Sequence, residues 1–150
     1  MNEKNIELCE YGYRKTSAPS MLASGGYGPC VVIGMYDRKT KTGYMIHEPH
    51  IHFSDLEAMI VKIIDDAGNA SRLKIVTSGN ALFFDEDIDM EDLRRHHDEV
   101  KKQVTETLEK YFNKRQIEYR WLSDGESDEL ILDINTGKFY SAEEFDEEFL

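Results

Sequence analysis

The sequence predicts a mixed α+β domain of the α/β class, with helices covering the faces of mixed β-sheets. Three observations point there. Two segments carry apolar residues at helical spacing. Six short segments rich in β-branched and aromatic residues read as strands. Their order is hairpin, helix, strand, helix, strand, hairpin, which is not the strict βαβ alternation of a doubly wound fold.

Each element has a local cause. Val31-Val32-Ile33-Gly34-Met35-Tyr36 is a continuous apolar run with β-branched members, the pattern of a buried strand. A polar loop over Asp37–Thr42 follows, and Gly43-Tyr44-Met45-Ile46-His47 returns as the second strand of a hairpin. Ser54 and Glu57 form a capping box at the start of a helix. Leu56, Met59, Ile60, Ile63, Ile64 and Ala67 give that helix its apolar stripe, and Gly68 suits its end. Leu73–Thr77 reads as a strand closed by Ser78-Gly79-Asn80, a turn that also suits a site wall. A second helix is expected from about Met90 to Phe112, with Leu93, His97, Val100, Val104, Leu108 and Tyr111 on one stripe. Ile117–Trp121 alternates like a half-buried strand, and Leu130–Ile134 with Lys138–Tyr140 flank the turn Asn135-Thr136-Gly137. Ser141 begins a segment that reads either as a short capped helix or as a solvated acidic end.

Composition narrows the function classes. Of 150 residues, 40% are hydrophobic, enough for one core, and no repeat or Pro/Gly-rich linker divides the chain. One domain is expected over residues 1–140, with an acidic C-terminal tail over 141–150. The 30 acids exceed the 18 bases, giving a net charge of −12. That charge opposes general attraction to nucleic acid or anionic membranes. Most of it lies after Ser123, where ten acids meet one base, Lys138. Cys9 and Cys30 form no CxxC pair, and the longest apolar run is far too short to span a membrane. The start of the chain lacks the pattern of a secretory signal, so a cytoplasmic location is expected.

The chemistry concentrates around one thiol. Ser24-Gly25-Gly26-Tyr27-Gly28-Pro29-Cys30 is glycine-rich and runs straight into the buried strand. Its glycines leave room for a ligand beside the main chain, and its free N–H groups suit an oxyanion. With the hairpin loop centred between Arg38 and Lys39, Cys30 lies opposite His47 and Gly34 opposite Gly43. Paired residues share a face with Cβ atoms about 5 Å apart, so the imidazole could take the thiol proton. The competing reading makes Cys30 a small buried hydrophobe. His47, His50 and His52 offer a separate possibility, a zinc site with Glu48 and Asp55 nearby, but the spacing matches no standard motif, and no metal or other cofactor is expected. His97 and Cys9 read as structural.

The segment from Ala23 to His47 resembles the chemoreceptor glutamine deamidases, the chemotaxis protein CheD family. That family has a Thr or Ser, a Gly-rich turn ending at the cysteine, a hydrophobic strand, an Asp-to-Gly loop and a strand ending in histidine. Ser24, Gly28, Cys30, Asp37, Gly43 and His47 fall at the matching places. The later elements follow the family's order more weakly. The arrangement is also similar to the deamidating toxins related to cytotoxic necrotizing factor, and the shared fold type is a layered α/β sandwich. The resemblance implies a thiol hydrolase that converts a protein glutamine to glutamate and releases ammonia. It implies Cys30 as nucleophile, His47 as base and acid, and Ser24 as the third member, orienting the ring through its hydroxyl. Gly25, Gly26, Tyr27 and Gly28 would form the substrate and oxyanion loop. Two positions depart from the family pattern. Pro29 replaces a serine and has no N–H. Ser123-Asp124-Gly125-Glu126-Ser127-Asp128 replaces a glycine-rich segment ending in a basic residue. These departures motivate the alternative, a regulatory protein on the same scaffold that binds a protein partner without catalysis.

Overall fold

The structure is a computed structural model, and it describes residues 5–17, 19–49 and 53–150. His50 and His52 lie outside the described residues, as does the side chain of Ser54 that the capping box invokes.

Among the described residues, nine strands make two mixed sheets. Strand β4 (Val31–Asp37) and strand β5 (Thr42–Glu48) form the expected hairpin. They lie in a five-stranded sheet ordered β2-β5-β4-β6-β7, with β2 Gly12–Ser17, β6 Leu73–Gly79 and β7 Ile117–Trp121. The second sheet has four strands in the order β1-β3-β8-β9: Asn5–Leu8, Ser20–Ala23, Ile131–Asp133 and Lys138–Tyr140. Each sheet contains one parallel pair, β6 with β7 and β1 with β3.

Period-2 alternation explains the layers. Val31, Ile33 and Met35 on one face of β4 pack with Leu56, Ile60 and Ile63 of helix α1 (Phe53–Ala67) and with Val104 and Leu108 of helix α2 (Met90–Tyr111). Val32 and Tyr36 on the other face join Leu22, Leu132 and Phe139 of the four-stranded sheet. With apolar neighbours on both faces, β4 needs a continuous apolar sequence. Beyond the second sheet, helix α3 (Ala142–Phe149) lays Phe145 and Phe149 on Met21, Ala23, Ile131 and Tyr140. The order helices, sheet, sheet, helix is an α/β sandwich.

Two features differ from the sequence reading. The N-terminal strands β1 to β3 were not expected. They are short, two carry mainly polar residues, and β3 finds its partner β8 more than 100 residues away (Met21 opposite Asp133). The hairpin register is displaced by two residues: Val32, not Cys30, lies opposite His47, and Tyr36, not Gly34, lies opposite Gly43. The loop is four residues long, Arg38 to Lys41, with Lys41 in the left-handed region at φ 50°. Asp37 fixes it by accepting the Lys39 N–H at 3.0 Å. The acidic segment 141–150 takes the first of its two expected forms: it is helical over Ala142–Phe149, and Ser141 and Glu144 cap it reciprocally.

Among the described residues, no helix is long and apolar enough to cross a membrane.

Candidate active site

His47 lies near the end of β5, between β4 and β2, where it pairs with Val32 on one side and Gly12 on the other. Its side chain is 3% exposed. Nδ1 lies 3.0 Å from the carbonyl oxygen of Cys9 and 3.0 Å from that of Ser24. Carbonyls only accept, so in the neutral ring Nδ1 carries the hydrogen and Nε2 keeps its lone pair. Tyr11 and Tyr27 flank the ring, with centroids 5.9 and 6.2 Å away. The imidazole is therefore held in one tautomer and one orientation, as a general base requires.

The two-residue register shift leaves the thiol on the same side of the sheet. Cys30 lies one residue before β4 and packs on the same cluster as Val32, and Val32 is the direct partner of His47. Cys30 and His47 both border a cavity of about 260 Å³, together with Glu10, Tyr11, Ser24, Gly25 and Gly26. No hydrogen bond joins the Cys30 thiol to the ring among the described residues. Burial pushes the Cys30 pKa up, the Cys30 backbone N–H opposes this, and the charge of Glu48 adds to it. Burial thus opposes ionisation of this thiol. The other cysteine is more strongly shifted: burial raises Cys9 to about 11, against the opposing charge of Arg14, and Cys9 is 2% exposed.

The backbone around Cys30 is fixed by the end of β6. The Cys30 carbonyl accepts the Asn80 N–H at 2.8 Å, and the Gly28 carbonyl accepts the Ala81 N–H at 2.9 Å. Gly79 makes this possible. It adopts φ +105°, and a Cβ there would lie 2.0 Å from the Cys30 oxygen. Gly28 is needed for space, since a Cβ would meet the Phe83 ring at 2.8 Å.

The residues of the glycine-rich loop divide. Ser24, Gly25 and Gly26 border the thiol–imidazole cavity. Gly28 borders a separate depression with Ser127, Asp128 and Glu129. Tyr27 turns its hydroxyl away, donating to Ser78 Oγ at 2.7 Å, and burial pushes its pKa up to about 12. Ser24 acts differently from expectation. Its hydroxyl donates to the Gly25 carbonyl at 2.6 Å and accepts the Leu130 N–H at 3.0 Å. Its main-chain carbonyl, not its hydroxyl, meets the ring. Leu130 lies beside Ser24 just beyond the paired ends of β3 and β8: its carbonyl accepts the Ser24 N–H at 2.9 Å, and its own N–H goes to the Ser24 hydroxyl.

On its other side Cys30 borders a larger cavity of about 580 Å³, walled by Leu82, Phe83, Leu93 and Val100 among others. His97 and Asn80 clamp helix α2 to this wall: Asn80 Nδ2 donates to the His97 carbonyl at 3.1 Å, and His97 Nε2 donates to the Asn80 carbonyl. Of the turn after β6, Asn80 borders this cavity, and His97, read as structural, borders it too. Glu10 and Tyr11 in the smaller cavity, and the Cys9 carbonyl on His47, were not legible beforehand, because the β1–β2 turn carries no motif and arrives there only through sheet pairing. Leu82 and Phe83 were missed too, although two aromatics in a polar stretch, Phe83 and Phe84, are a readable signal. No group of His, Cys, Asp and Glu able to hold a metal occurs among the described residues.

The chain is thus an α+β sandwich with a thiol and an oriented imidazole on one cavity. No protein-family model matches the sequence, and no curated protein matches it. Among solved structures it is similar to the crystal structure of the Bacillus licheniformis hypothetical protein YfiH, at 13% identity and a TM-score of 0.44. The similarity covers 72% of this chain and 49% of that one, so the chain spans about half the length of that protein.

Proposed function

We propose that the protein is a cysteine-dependent amidohydrolase of the CheD type, a deamidase that converts a glutamine side chain of a target protein to glutamate. The observation that carries this reading is the Cys30–His47 cavity, in which two backbone carbonyls hold the ring with Nε2 as its basic nitrogen. A substrate amide at Cys30 is attacked by sulfur as His47 Nε2 takes the thiol proton. The oxyanion that forms is stabilised by main-chain N–H groups of Gly25 and Gly26, which border the cavity. The imidazolium returns its proton to the departing nitrogen, and ammonia leaves a thioester on Cys30. Water, deprotonated by His47, attacks the thioester and releases the glutamate carboxylate and the thiol. Burial opposes a standing thiolate at Cys30, which favours transfer of the proton to His47 as sulfur attacks.

The reaction requires no cofactor. The partner is a protein carrying an accessible glutamine, met in a reducing compartment such as the cytoplasm, where two free cysteines stay reduced. A second reading has one observation in its favour. Among the described residues no hydrogen bond joins the Cys30 thiol to His47, although both border one cavity, as expected of a regulatory protein that keeps the pocket only to bind a partner.

The test is product mass. Glutamine peptides and candidate proteins incubated with the protein gain the roughly 1 Da that separates glutamate from glutamine, with stoichiometric ammonia, and Cys30→Ser and His47→Asn abolish both. Binding of a partner without any mass gain would favour the regulatory reading.

A further inference from the structure

The larger cavity beside Cys30 names a substrate class. Its volume of about 580 Å³ and its walls of Leu82, Phe83, Leu93 and Val100 suit a large apolar side chain. The segment joining two of those walls, Phe83 and Leu93, keeps apolar surface outside: Phe83 is 42% exposed, Phe84 70% and Ile88 44%. The same segment is strongly acidic, with Asp85, Glu86, Asp87, Asp89, Glu91 and Asp92 and no base.

A second acidic segment adjoins it. The loop with Asp124, Glu126, Asp128 and Glu129 is tied to this wall at three points. The Gly125 N–H donates to the Leu82 carbonyl at 2.9 Å, Arg94 pairs with Asp124 at 3.0 Å, and the Glu126 carbonyl lies on the Phe83 side of Gly28. Two acidic segments thus flank a mainly apolar cavity that borders Cys30, and Arg94 and Arg95 of helix α2 pair with only Asp124 and Asp92 of them.

From this arrangement we infer that the cavity binds an apolar residue adjoining the reactive glutamine, in a segment whose flanking residues are basic. The apolar residue fills the Leu93–Phe83 cavity while the glutamine amide reaches Cys30 at its edge. Lysine or arginine on either side meets the acidic rim, which attracts cationic partners and repels acidic ones. This rests on the deamidase reading for the reaction, but the binding stands or falls by itself.

The experiment uses the full chain as Cys30→Ser and three fluorescent peptides of one length with a central glutamine. One has leucine beside the glutamine and lysine flanks. The second has the same leucine and glutamate flanks. The third keeps the lysines and replaces leucine with serine. Anisotropy at low salt is expected to show the leucine–lysine peptide binding about tenfold more tightly than either other, since burying one apolar side chain is worth this much or more. Leu93→Trp, which fills the cavity, should abolish the advantage of leucine over serine. Glu86→Lys with Asp87→Lys, both on the exposed rim, should abolish the advantage of lysine over glutamate flanks. Equal binding of the three peptides, or a preference that survives both changes, overturns the inference. Ammonia release by the unsubstituted protein separates the two claims. The expected binding order without turnover sinks the deamidase reading and leaves the cavity assignment standing. Turnover without the order does the reverse.

Discussion

Two cavities meet at Cys30, and they are built differently. The smaller is made by sheet backbone: β5 carries His47, and the segments after β1 and β3 supply the carbonyls of Cys9 and Ser24 that hold it. The larger is walled by the segment after β6 and by helix α2, and its apolar surface is partly open to solvent. Strand pairing fixes geometry to fractions of an ångström, which suits proton transfer. A loop and a helix face are free to vary in size and charge, which suits recognition. On the proposed reading the reacting groups and the selecting surface are separable, so substitutions on the two sides should have different signatures.

The largest effect is expected on the polar side. His47→Asn keeps a donor for the two carbonyls but removes the base. Turnover of a glutamine substrate should fall on the order of 10³-fold, as for removal of a general base from a nucleophile–base pair. Near-ultraviolet circular dichroism should stay unchanged. A loss below tenfold would remove His47 from the reaction.

Gly79→Ala acts on both cavities through the Cys30 backbone. The positive φ and the 2.0 Å approach to the Cys30 oxygen force a shift. Thermal unfolding should show a loss of about 1–3 kcal/mol, the range for strained backbone. An unchanged melting temperature would show that the β6 turn does not hold the nucleophile's loop.

Ser24→Ala sharpens the question of how the ring is oriented. The main-chain carbonyl remains, so turnover should stay within about threefold, while the Leu130 N–H loses its acceptor at a cost of about 1–3 kcal/mol. A hydroxyl acting on the ring would give the opposite pattern, with turnover collapsing and stability intact.

The smallest effect concerns the resting thiol. A raised pKa keeps the thiolate scarce until the pH exceeds the ordinary thiol range, so iodoacetamide should label Cys30 more slowly at pH 7 than a free cysteine of pKa about 8.5. The rate should keep rising above that pH. Cys9, at about 11 and buried, should stay silent throughout. Fast labelling of Cys30 below pH 7 would mean a standing ion pair with His47.

How much of this was legible in the sequence depended on distance along the chain. Helices α1 and α2, and the hairpin strands, were readable because their causes are local: the stripe Leu56–Ile60–Ile63, the stripe Val104–Leu108, and the apolar run Val31–Tyr36. The register was not, because it depends on a four-residue loop set by Asp37 and Lys41, and sequence alone does not choose between loop lengths. The pairing error was two residues, and the period of two spared the face, so Cys30 and His47 still share a cavity. A one-residue error would have placed them on opposite faces. The role of the Ser24 carbonyl and the arrival of Cys9 were hidden because both are main-chain contacts, which no side-chain pattern encodes. The apolar cavity depends on helix α2 meeting the turn after β6 through His97 and Asn80, a long-range contact of the same hidden kind.

The central claim is that His47 acts on Cys30 when an amide is presented, although burial opposes a standing thiolate. The direct measurement is covalent capture by a peptide whose glutamine amide is replaced by a chloromethyl ketone, followed by intact mass. One adduct on Cys30 is predicted, with loss of chloride, forming on the order of 10²-fold more slowly in His47→Asn, the usual worth of a positioned base. Equal rates in the two proteins, or an adduct on Cys9, would contradict the account.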